Sequence, residues 1–351
     1  MTPGTHSYAI IGTGRPHGSE GATGFGMANT HLPNFLATGL VHLAAVADIV
    51  PDHSSSFLER HGVSAPEFTD YHEMLAEIKP EAVSICTWPH LHAEMAVAAA
   101  EAGARVIHCE KPIATLWADA KRMKAAADAN GARLSFNHQR RHIKLFQAVR
   151  DALNSGAVGD LVMIEAQVGD LFDWGTHWLD MMFFYNHETE AEWVIGQIDS
   201  RTEQSIFGAK SENQSLCHFK WKNGVRGLLV SGYQASIGAT HRVTGKLGVL
   251  EVLNERTYRV IGNGDAEWRT IEVPQGAHDE HRLTAEDVLR QLDDPTHRSI
   301  LSIDNALHHT ELIFGTYLSS KHRGRIDLPI PHEGNAFLDL LATREIGPNR
   351  A

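Results

Sequence analysis

The 351-residue sequence has few cysteines, no long apolar segment and no excess of positive charge. Its three cysteines lack CxxC spacing, which argues against a disulfide framework and favours a reducing compartment. No stretch approaches the roughly 18 apolar residues that a transmembrane helix needs. The first residues lack the basic and apolar regions of a signal peptide. We therefore expect a cytoplasmic protein.

The charge balance excludes further partner classes. Asp and Glu number 43 against 31 Lys and Arg, a formal net charge of −12. Nucleic acids and anionic membranes bind to basic surfaces, so neither is expected as a partner. The 23 histidines form no HExxH motif and no Cys/His spacing typical of zinc sites, so no metal is predicted.

Two patterns of hydrophobicity divide the chain. Between residues 7 and 136, β-rich runs alternate with helical periodicity, which predicts an α/β domain with a doubly wound parallel sheet of the Rossmann type. The later strand-like runs are separated by turns such as Asn223-Gly224, which predicts an α+β domain with a mostly antiparallel open sheet and helices. The predicted domains are residues 1–137 and 138–330, followed by a C-terminal tail at 331–351.

A glycine-rich turn follows the first predicted strand. Its sequence is Gly12-Thr13-Gly14-Arg15, in which the glycines allow a tight turn and let backbone N–H groups approach a pyrophosphate. A GxGxxG fingerprint would have a third glycine, but a Gly-rich insertion at residues 16–24 comes instead. The third glycine normally allows the helix to pack closely on the strand, and we expect Gly26 or Ala28 to serve this purpose here.

Asp48 ends the second predicted strand. Counted from Gly26, it falls close to the offset of roughly 20 residues at which a carboxylate binds the adenosine ribose 2′-OH. It is also a candidate helix N-cap before Pro51. No Arg or Lys follows within a turn to bind a 2′-phosphate, so NAD is favoured over NADP. The first domain is therefore predicted to bind NAD through the glycine turn (Gly12, Thr13, Gly14 and Arg15) and Asp48.

Three further segments carry a family resemblance. Thr87-Trp88-Pro89-His90-Leu91-His92 follows the predicted strand at residues 82–86, Cys109-Glu110-Lys111-Pro112 begins at the end of the predicted strand at residues 105–109, and Asp173-Trp174-Gly175-Thr176-His177 opens a helix. The first two lie beyond strand carboxyl ends, where open α/β sheets bind ligands. Together the segments resemble the Gfo/Idh/MocA oxidoreductases, a family that includes glucose–fructose oxidoreductase and inositol dehydrogenases, over about residues 7–330.

The resemblance implies roles for particular residues. Lys111 matches the active-site lysine, Glu110 a residue near the nicotinamide ribose, and His177 the catalytic histidine with Asp173 as its carboxylate. A cofactor-side segment is matched by Thr87, Pro89 and His92, with Trp88 inserted before the proline. The resemblance also implies that the second domain, besides binding substrate, joins subunits through its sheet in a homodimer or homotetramer.

The chemistry agrees with these roles. Oxidation of a secondary alcohol requires removal of the hydroxyl proton as the hydride leaves, and histidine titrates near working pH. We expect His177 to be the general base, with Asp173 orienting it or holding a substrate hydroxyl. The Lys111 ammonium would stabilise the developing alkoxide and relay the proton. The opposite assignment of His177 and Lys111 stays open.

Aromatic and basic residues suggest the substrate. The rings of Trp88 and Trp174 suit the C–H face of a sugar or cyclitol. Arg140 and Arg141 contact either substrate or cofactor phosphate, or they form an interdomain salt bridge. Because no dedicated anion pocket is evident, a neutral polyol is preferred.

Three hypotheses of function follow. The leading one is an NAD-dependent oxidoreductase acting on a secondary hydroxyl of a sugar, glycoside or cyclitol. The second is a redox-neutral glycosidase or epimerase-like enzyme that keeps NAD bound and oxidises its substrate transiently. The third is a non-catalytic nucleotide-binding regulator.

Overall fold

The structure is a computed structural model that describes residues 5–232, 236–274 and 279–348. The chain forms two compact units, Met1–Gln139 with Asp279–Ala306 (unit 1) and Arg140–His278 with Leu307–Ala351 (unit 2). The predicted division is corrected in two places. Residues 279–306 join unit 1 because a helix there buries Val288 and Leu289 in the first core. The predicted tail belongs to unit 2 and contains a helix with a buried Phe337.

Unit 1 contains a six-stranded sheet of order β3-β2-β1-β4-β5-β6, in which all pairings are parallel. Its elements are β1 (His6–Ile11), α1 (Ala28–Ala37), β2 (Val41–Ala47), α2 (Pro51–His61), β3 (Glu67–Phe68), α3 (Tyr71–Ile78), β4 (Ala82–Ile85), α4 (His92–Glu101), β5 (Val106–Cys109), α5 (Trp117–Asn130), β6 (Arg133–Phe136) and α8 (Glu280–Leu289).

The central strands β4 and β5 are buried along their whole length, as strands of a parallel sheet between helices require. On one face, α1 turns Leu32 and Phe35 into a core that α8 also joins. The predicted Rossmann topology is confirmed. The prediction missed β3, because Glu67–Phe68 is too short to show a period.

Unit 2 contains a nine-stranded sheet of order β16-β15-β14-β13-β7-β12-β11-β8-β17 and a two-stranded ribbon of β9 and β10. Its elements are α6 (Lys144–Asn154), β7 (Leu161–Val168), α7 (Trp174–Tyr185), β8 (Ala191–Asp199), β9 (Ser205–Ile206), β10 (Ala209–Lys210), β11 (Gln214–Trp221), β12 (Arg226–Gly232), β13 (His241–Gly245), β14 (Val249–Val252), β15 (Thr257–Ile261), β16 (Arg269–Glu272), α9 (Ile303–His322, whose first turn counts with unit 1), β17 (Ile326–Asp327) and α10 (Ala336–Ala342).

The sheet of unit 2 is antiparallel except where β12 pairs with β7, which confirms the predicted class. Strand residues alternate between buried and exposed, as a sheet with helices on one face requires. Gly196 permits α9 to approach β8, because a Cβ there would lie 2.5 Å from Thr316 Cγ2. The prediction missed β13, whose sequence HRVTG is mostly polar. Among the described residues, no helix is long and apolar enough to cross a membrane.

Candidate active site

The glycine turn of unit 1 brings two of the predicted cofactor-binding segments together. Gly12 has a φ of +86°, and a Cβ at this position would lie 2.6 Å from Thr87 Cγ2. Glycine is therefore required both by the backbone conformation and by the close approach of the loop after β4. The next glycine, Gly14, has a φ of +53° and donates its N–H to Asp48 Oδ2 at 2.9 Å.

The two ends of the insertion at residues 16–24 lie close together, which brings Gly26 near the glycine turn. Arg15 and Gly26 meet at its two ends, where a Cβ on Gly26 would lie 2.2 Å from the Arg15 carbonyl oxygen. Without residues 16–24, the sequence would be Gly12-x-Gly14-x-x-Gly26, a complete GxGxxG. Gly26 thus permits the close approach of the two ends of the insertion, whereas Ala28 is buried in the core of unit 1. The Arg15 guanidinium donates to the Glu20 carbonyl at 2.8 Å, inside the insertion.

The residues around this turn fit a dinucleotide. Among the described residues no side chain caps the N-terminus of α1, so the positive end of its helix dipole suits an anion such as a pyrophosphate, although the Asn29 and Thr30 N–H groups already donate to the Gly26 and Met27 carbonyl oxygens. Asp48 accepts hydrogen bonds from Thr13 Oγ1 at 3.1 Å and from the Val50 N–H at 3.0 Å. Because Val50 occupies the N-cap position of α2, Asp48 is not the helix cap.

In the segment after β4, the Trp88 indole is exposed and the His92 imidazole is buried. Trp88 is 38% exposed, whereas the His92 ring is fully buried at the start of α4. His92 Nε2 lies 3.0 Å from the Thr87 carbonyl oxygen, and Nδ1 lies 2.9 Å from that of Pro112. Burial lowers the pKa of His92. The structure therefore corrects the predicted cofactor contact of His92: its ring joins two loops. Pro89 is also buried.

Glu110 and Lys111 directly follow β5. Glu110 is 7% exposed and accepts from His31 Nε2 at 2.9 Å and from Asn137 Nδ2 at 2.7 Å. Burial opposes the charged form, but the hydrogen bond and electrostatic interaction with His31, the Asn137 hydrogen bond and the Lys111 charge outweigh it and lower the pKa of Glu110 to about 2. Lys111 is half-buried, and its N–H donates to Glu110 Oε2 at 3.2 Å. His31 was not predicted, although its place on an apolar helix stripe with Phe35 signals a buried partner.

In unit 2, Asp173 and His177 lie at the start of α7, each 3% exposed. Asp173 directly precedes the helix, and His177 lies one turn later. The helix is capped by Asp170, whose Oδ1 accepts the N–H groups of Asp173 at 2.6 Å and Trp174 at 3.1 Å. This carboxylate satisfies otherwise unpaired helical donors and so fixes the first turn. Asp170 was not predicted as part of the site.

Arg140 and Trp174, both predicted to bind substrate, lie together. The Arg140 guanidinium carbon is 5.2 Å from the centre of the Trp174 ring and 4.9 Å from that of Trp178. Its Nη2 is 3.3 Å from Glu255 Oε1. Trp174 is 41% exposed, whereas Trp178 is 9% exposed. The arginine thus supports the Trp174 ring from within unit 2.

Arg141 was predicted to contact substrate or cofactor phosphate, or to form an interdomain salt bridge, but it lies in a buried ion-pair network. It is 1% exposed, with Nη2 2.7 Å from Asp180 Oδ1 and Nη1 2.7 Å from Glu188 Oε1. Burial favours neutral arginine, but these two carboxylates raise the pKa of Arg141. All three residues belong to unit 2, so this is neither a substrate contact nor an interdomain bridge. The prediction for Arg141 is therefore corrected to an internal anchor of α7.

A buried carboxyl group supports the loop before α7. Glu212 is fully buried, with Oε1 accepting the Leu171 N–H at 2.6 Å and Oε2 accepting the Tyr317 hydroxyl at 2.7 Å. Burial raises the pKa of Glu212 to about 7 despite these hydrogen bonds, and the nearby Asp170 charge acts in the same direction.

This raised pKa predicts a pH-dependent stability. The folded state binds the Glu212 proton more tightly than the unfolded chain does. The contribution of this proton to the free energy of unfolding is therefore complete below about pH 4.5 and is lost as pH rises through about 7. At about 1.4 kcal/mol per pKa unit, the loss is about 3 kcal/mol. We expect Glu212→Gln to remove this component from urea unfolding measured between pH 5 and 8, whereas the exposed Glu203→Gln leaves it. Equal pH dependence in Glu212→Gln and the parent would contradict the prediction.

The parallel sheet, glycine turn and Asp48 define unit 1 as a dinucleotide-binding domain. Residues 7–138 match the model of an oxidoreductase family with an NAD-binding Rossmann fold, GFO_IDH_MocA. The predicted resemblance is confirmed for this part of the chain: residues 7–138 match the NAD-binding Rossmann domain of the Gfo/Idh/MocA oxidoreductases.

Known proteins show the same likeness. An inositol 2-dehydrogenase of Salmonella typhimurium is 31% identical over 150 residues, which cover 42% of this chain and only 44% of that protein. A myo-inositol 2-dehydrogenase of Thermotoga maritima is 25% identical over 239 residues, 64% of this chain and 71% of that one.

Solved structures extend the likeness of fold across nearly the whole chain. A levoglucosan dehydrogenase in complex with NADH and levoglucosan has a TM-score of 0.77 at 18% identity, covering 92% of this chain and 99% of that one. An aldose-aldose oxidoreductase from Caulobacter crescentus, complexed with glycerol, has a TM-score of 0.74 at 19% identity, with the same coverage.

Proposed function

We propose that this protein is an NAD-dependent dehydrogenase that transfers a hydride between the nicotinamide and a secondary hydroxyl of a sugar, glycoside or cyclitol. The observation that carries the proposal is the Glu110–Lys111 segment at the carboxyl end of β5, within a domain that matches an NAD-binding oxidoreductase family. The inositol dehydrogenases among its relatives support a cyclitol or sugar as substrate.

We assign the acid–base chemistry to His177 and Lys111. His177 takes the hydroxyl proton, Asp173 orients the imidazole or holds a neighbouring hydroxyl, and the Lys111 ammonium stabilises the alkoxide. Bound NAD supplies the hydride acceptor. The capped first turn of α7 and the Glu110 hydrogen bond to the Lys111 N–H support this assignment, since both restrict the backbone that carries these residues.

The exposed rings support a polyol substrate. Trp88 in unit 1 and Trp174 in unit 2 each leave more than a third of the residue accessible. Indole faces of this kind stack on the C–H surface of a pyranose or cyclitol. The Arg140 guanidinium is already in contact with two indoles and Glu255, which favours a neutral ligand over an anionic one.

The direct test follows NADH formation at 340 nm with a panel of inositols, aldoses and glycosides. We expect turnover with NAD and at least one cyclitol or sugar, and weaker activity with NADP. If protein that carries NAD formed product without net NADH, the dehydrogenase hypothesis would be rejected in favour of the redox-neutral glycosidase or epimerase-like enzyme. Failure to bind NAD or NADH would contradict both.

We further propose a homodimer or homotetramer formed through the sheet of unit 2. On the sheet face turned away from α9, Ile195 is 41% exposed and Leu216 is 42% exposed. Leu216 lies opposite the half-buried Val230 on the neighbouring strand. Adjacent exposed apolar side chains favour association with a matching surface.

A charge placed on this sheet face is expected to break the assembly. The Ile195→Lys/Leu216→Lys double variant would bury unpaired ammonium groups, so we expect a monomer by light scattering where the parent is a dimer or tetramer. Leu338→Lys on α10 is the control, because it adds the same group elsewhere on unit 2. A monomeric parent, or an unchanged mass in the double variant, would contradict the interface.

A further inference from the structure

A chain of buried polar side chains runs through unit 1 beneath the carboxyl end of its sheet. The Tyr8 hydroxyl donates to Ser84 Oγ at 2.7 Å, and Ser84 Oγ lies 3.2 Å from His31 Nδ1. His31 Nε2 then lies 2.9 Å from Glu110 Oε1, which also accepts from Asn137. All five residues are less than 9% exposed. This series of hydrogen-bonded side chains ends at the Glu110 carboxylate, which has little contact with water.

The direction of these hydrogen bonds follows from their chemistry. An ionised carboxylate only accepts, so His31 Nε2 carries a proton and donates it to Glu110. His31 Nδ1 lies within hydrogen-bond distance of Ser84 Oγ, and that oxygen also accepts the Tyr8 hydroxyl. The negative charge of Glu110 is thus held in place by hydrogen bonds from both His31 and Asn137.

The position of Glu110 in the sheet places this charge on one half of the cofactor site. In a sheet of this order, a dinucleotide crosses the carboxyl ends at the switch between β1 and β4. Asp48, the ribose-binding candidate, directly follows β2 on one side of the switch, whereas Glu110 follows β5 on the other. Glu110 therefore belongs to the half that receives the nicotinamide.

We propose that Glu110, held by His31 and Asn137, is a fixed negative charge that makes the site prefer the oxidised over the reduced nicotinamide. The oxidised ring carries a positive charge and the reduced ring carries none, so only the first gains from a nearby carboxylate. The low accessibility of Glu110 limits screening by water and salt. This inference rests on the proposed function, since it requires a nicotinamide cofactor.

His31 is a positioning residue in this arrangement. It lies on α1, whose N-terminus is the candidate pyrophosphate site, and its ring reaches the loop after β5. Its donor fixes the Glu110 carboxylate and helps to keep it ionised in a buried environment. Loss of the donor is therefore expected to weaken the preference for the oxidised ring, whereas a substitute that can still donate restores it.

The test compares dissociation constants for NAD and NADH in the same protein, with NADH followed by fluorescence and NAD by competition or calorimetry. We expect Glu110→Gln to lower the ratio of Kd for NADH to Kd for NAD about tenfold, mainly through weaker NAD binding. Glu77→Gln, an exposed carboxylate change on α3, is the matched control and leaves the ratio unchanged. An unchanged ratio in Glu110→Gln, with both cofactors still bound, overturns the inference.

A second pair of variants tests the network independently of Glu110→Gln. His31→Phe is expected to lower the same ratio severalfold, and His31→Gln, which retains a donor, is expected to restore it. Equal ratios in His31→Phe and the parent would overturn the positioning role. A parent that binds neither NAD nor NADH would instead overturn the proposed function, and so the two failures are distinguishable.

Discussion

Replacing Arg141 with methionine is expected to cost about 3–5 kcal/mol of the free energy of unfolding. The substitution keeps most of the side-chain volume but leaves Asp180, 1% exposed, and the partly buried Glu188 without their cation. Burial already raises the pKa of Glu188 with Arg141 present. Without the guanidinium, these carboxyl groups must take up protons or unfold the region around α7.

Chemical unfolding monitored by tryptophan fluorescence measures this cost. Arg201→Met is the control, because Arg201 pairs with Asp199 on the surface with its side chain 83% exposed and should contribute less than about 1 kcal/mol. Adding Asp180→Asn and Glu188→Gln to Arg141→Met removes the unpaired charges, so we expect much of the lost stability to return. A loss below about 1 kcal/mol in Arg141→Met would show that the buried carboxylates do not depend on this cation.

The position of Arg141 shows why part of the site could not be predicted from sequence. Its partners are 39 and 47 residues further along the chain, on α7 and in the turn that follows it. Nothing in the local sequence of two consecutive arginines distinguishes one that supports Trp174 from one that forms a buried ion pair. That difference arises from packing, because the two side chains leave the same short 3₁₀ segment with different burial partners.

Features that depend on the local pattern of apolar and turn residues could be predicted from the sequence. Strands bounded by Gly or Asp and separated by amphipathic helices determine a parallel sheet, and the carboxyl ends of its strands determine where Gly12, Thr87 and Glu110 lie. The failures are elements too short or too polar to show a period, such as β3 and β13.

Buried polar partners were also missed. The contacts of His31 with Glu110 and of Glu212 with Tyr317 join residues 79 and 105 positions apart. An isolated His on an apolar helix stripe indicates that such a partner exists, but only the fold identifies it.

Substitution of the proposed acid–base residues is expected to have the largest effect on activity. General acid–base catalysis typically contributes about 10²- to 10⁴-fold, so His177→Asn and Lys111→Met should each lower kcat by that order while NADH binding is retained. The pH profile of kcat/KM separates the roles, since the variant that lacks the low-pH limb has lost the base. His322→Asn and Lys144→Met, at exposed positions, are the matched controls. Activity within about threefold of the parent in either active-site variant would remove that residue from the mechanism.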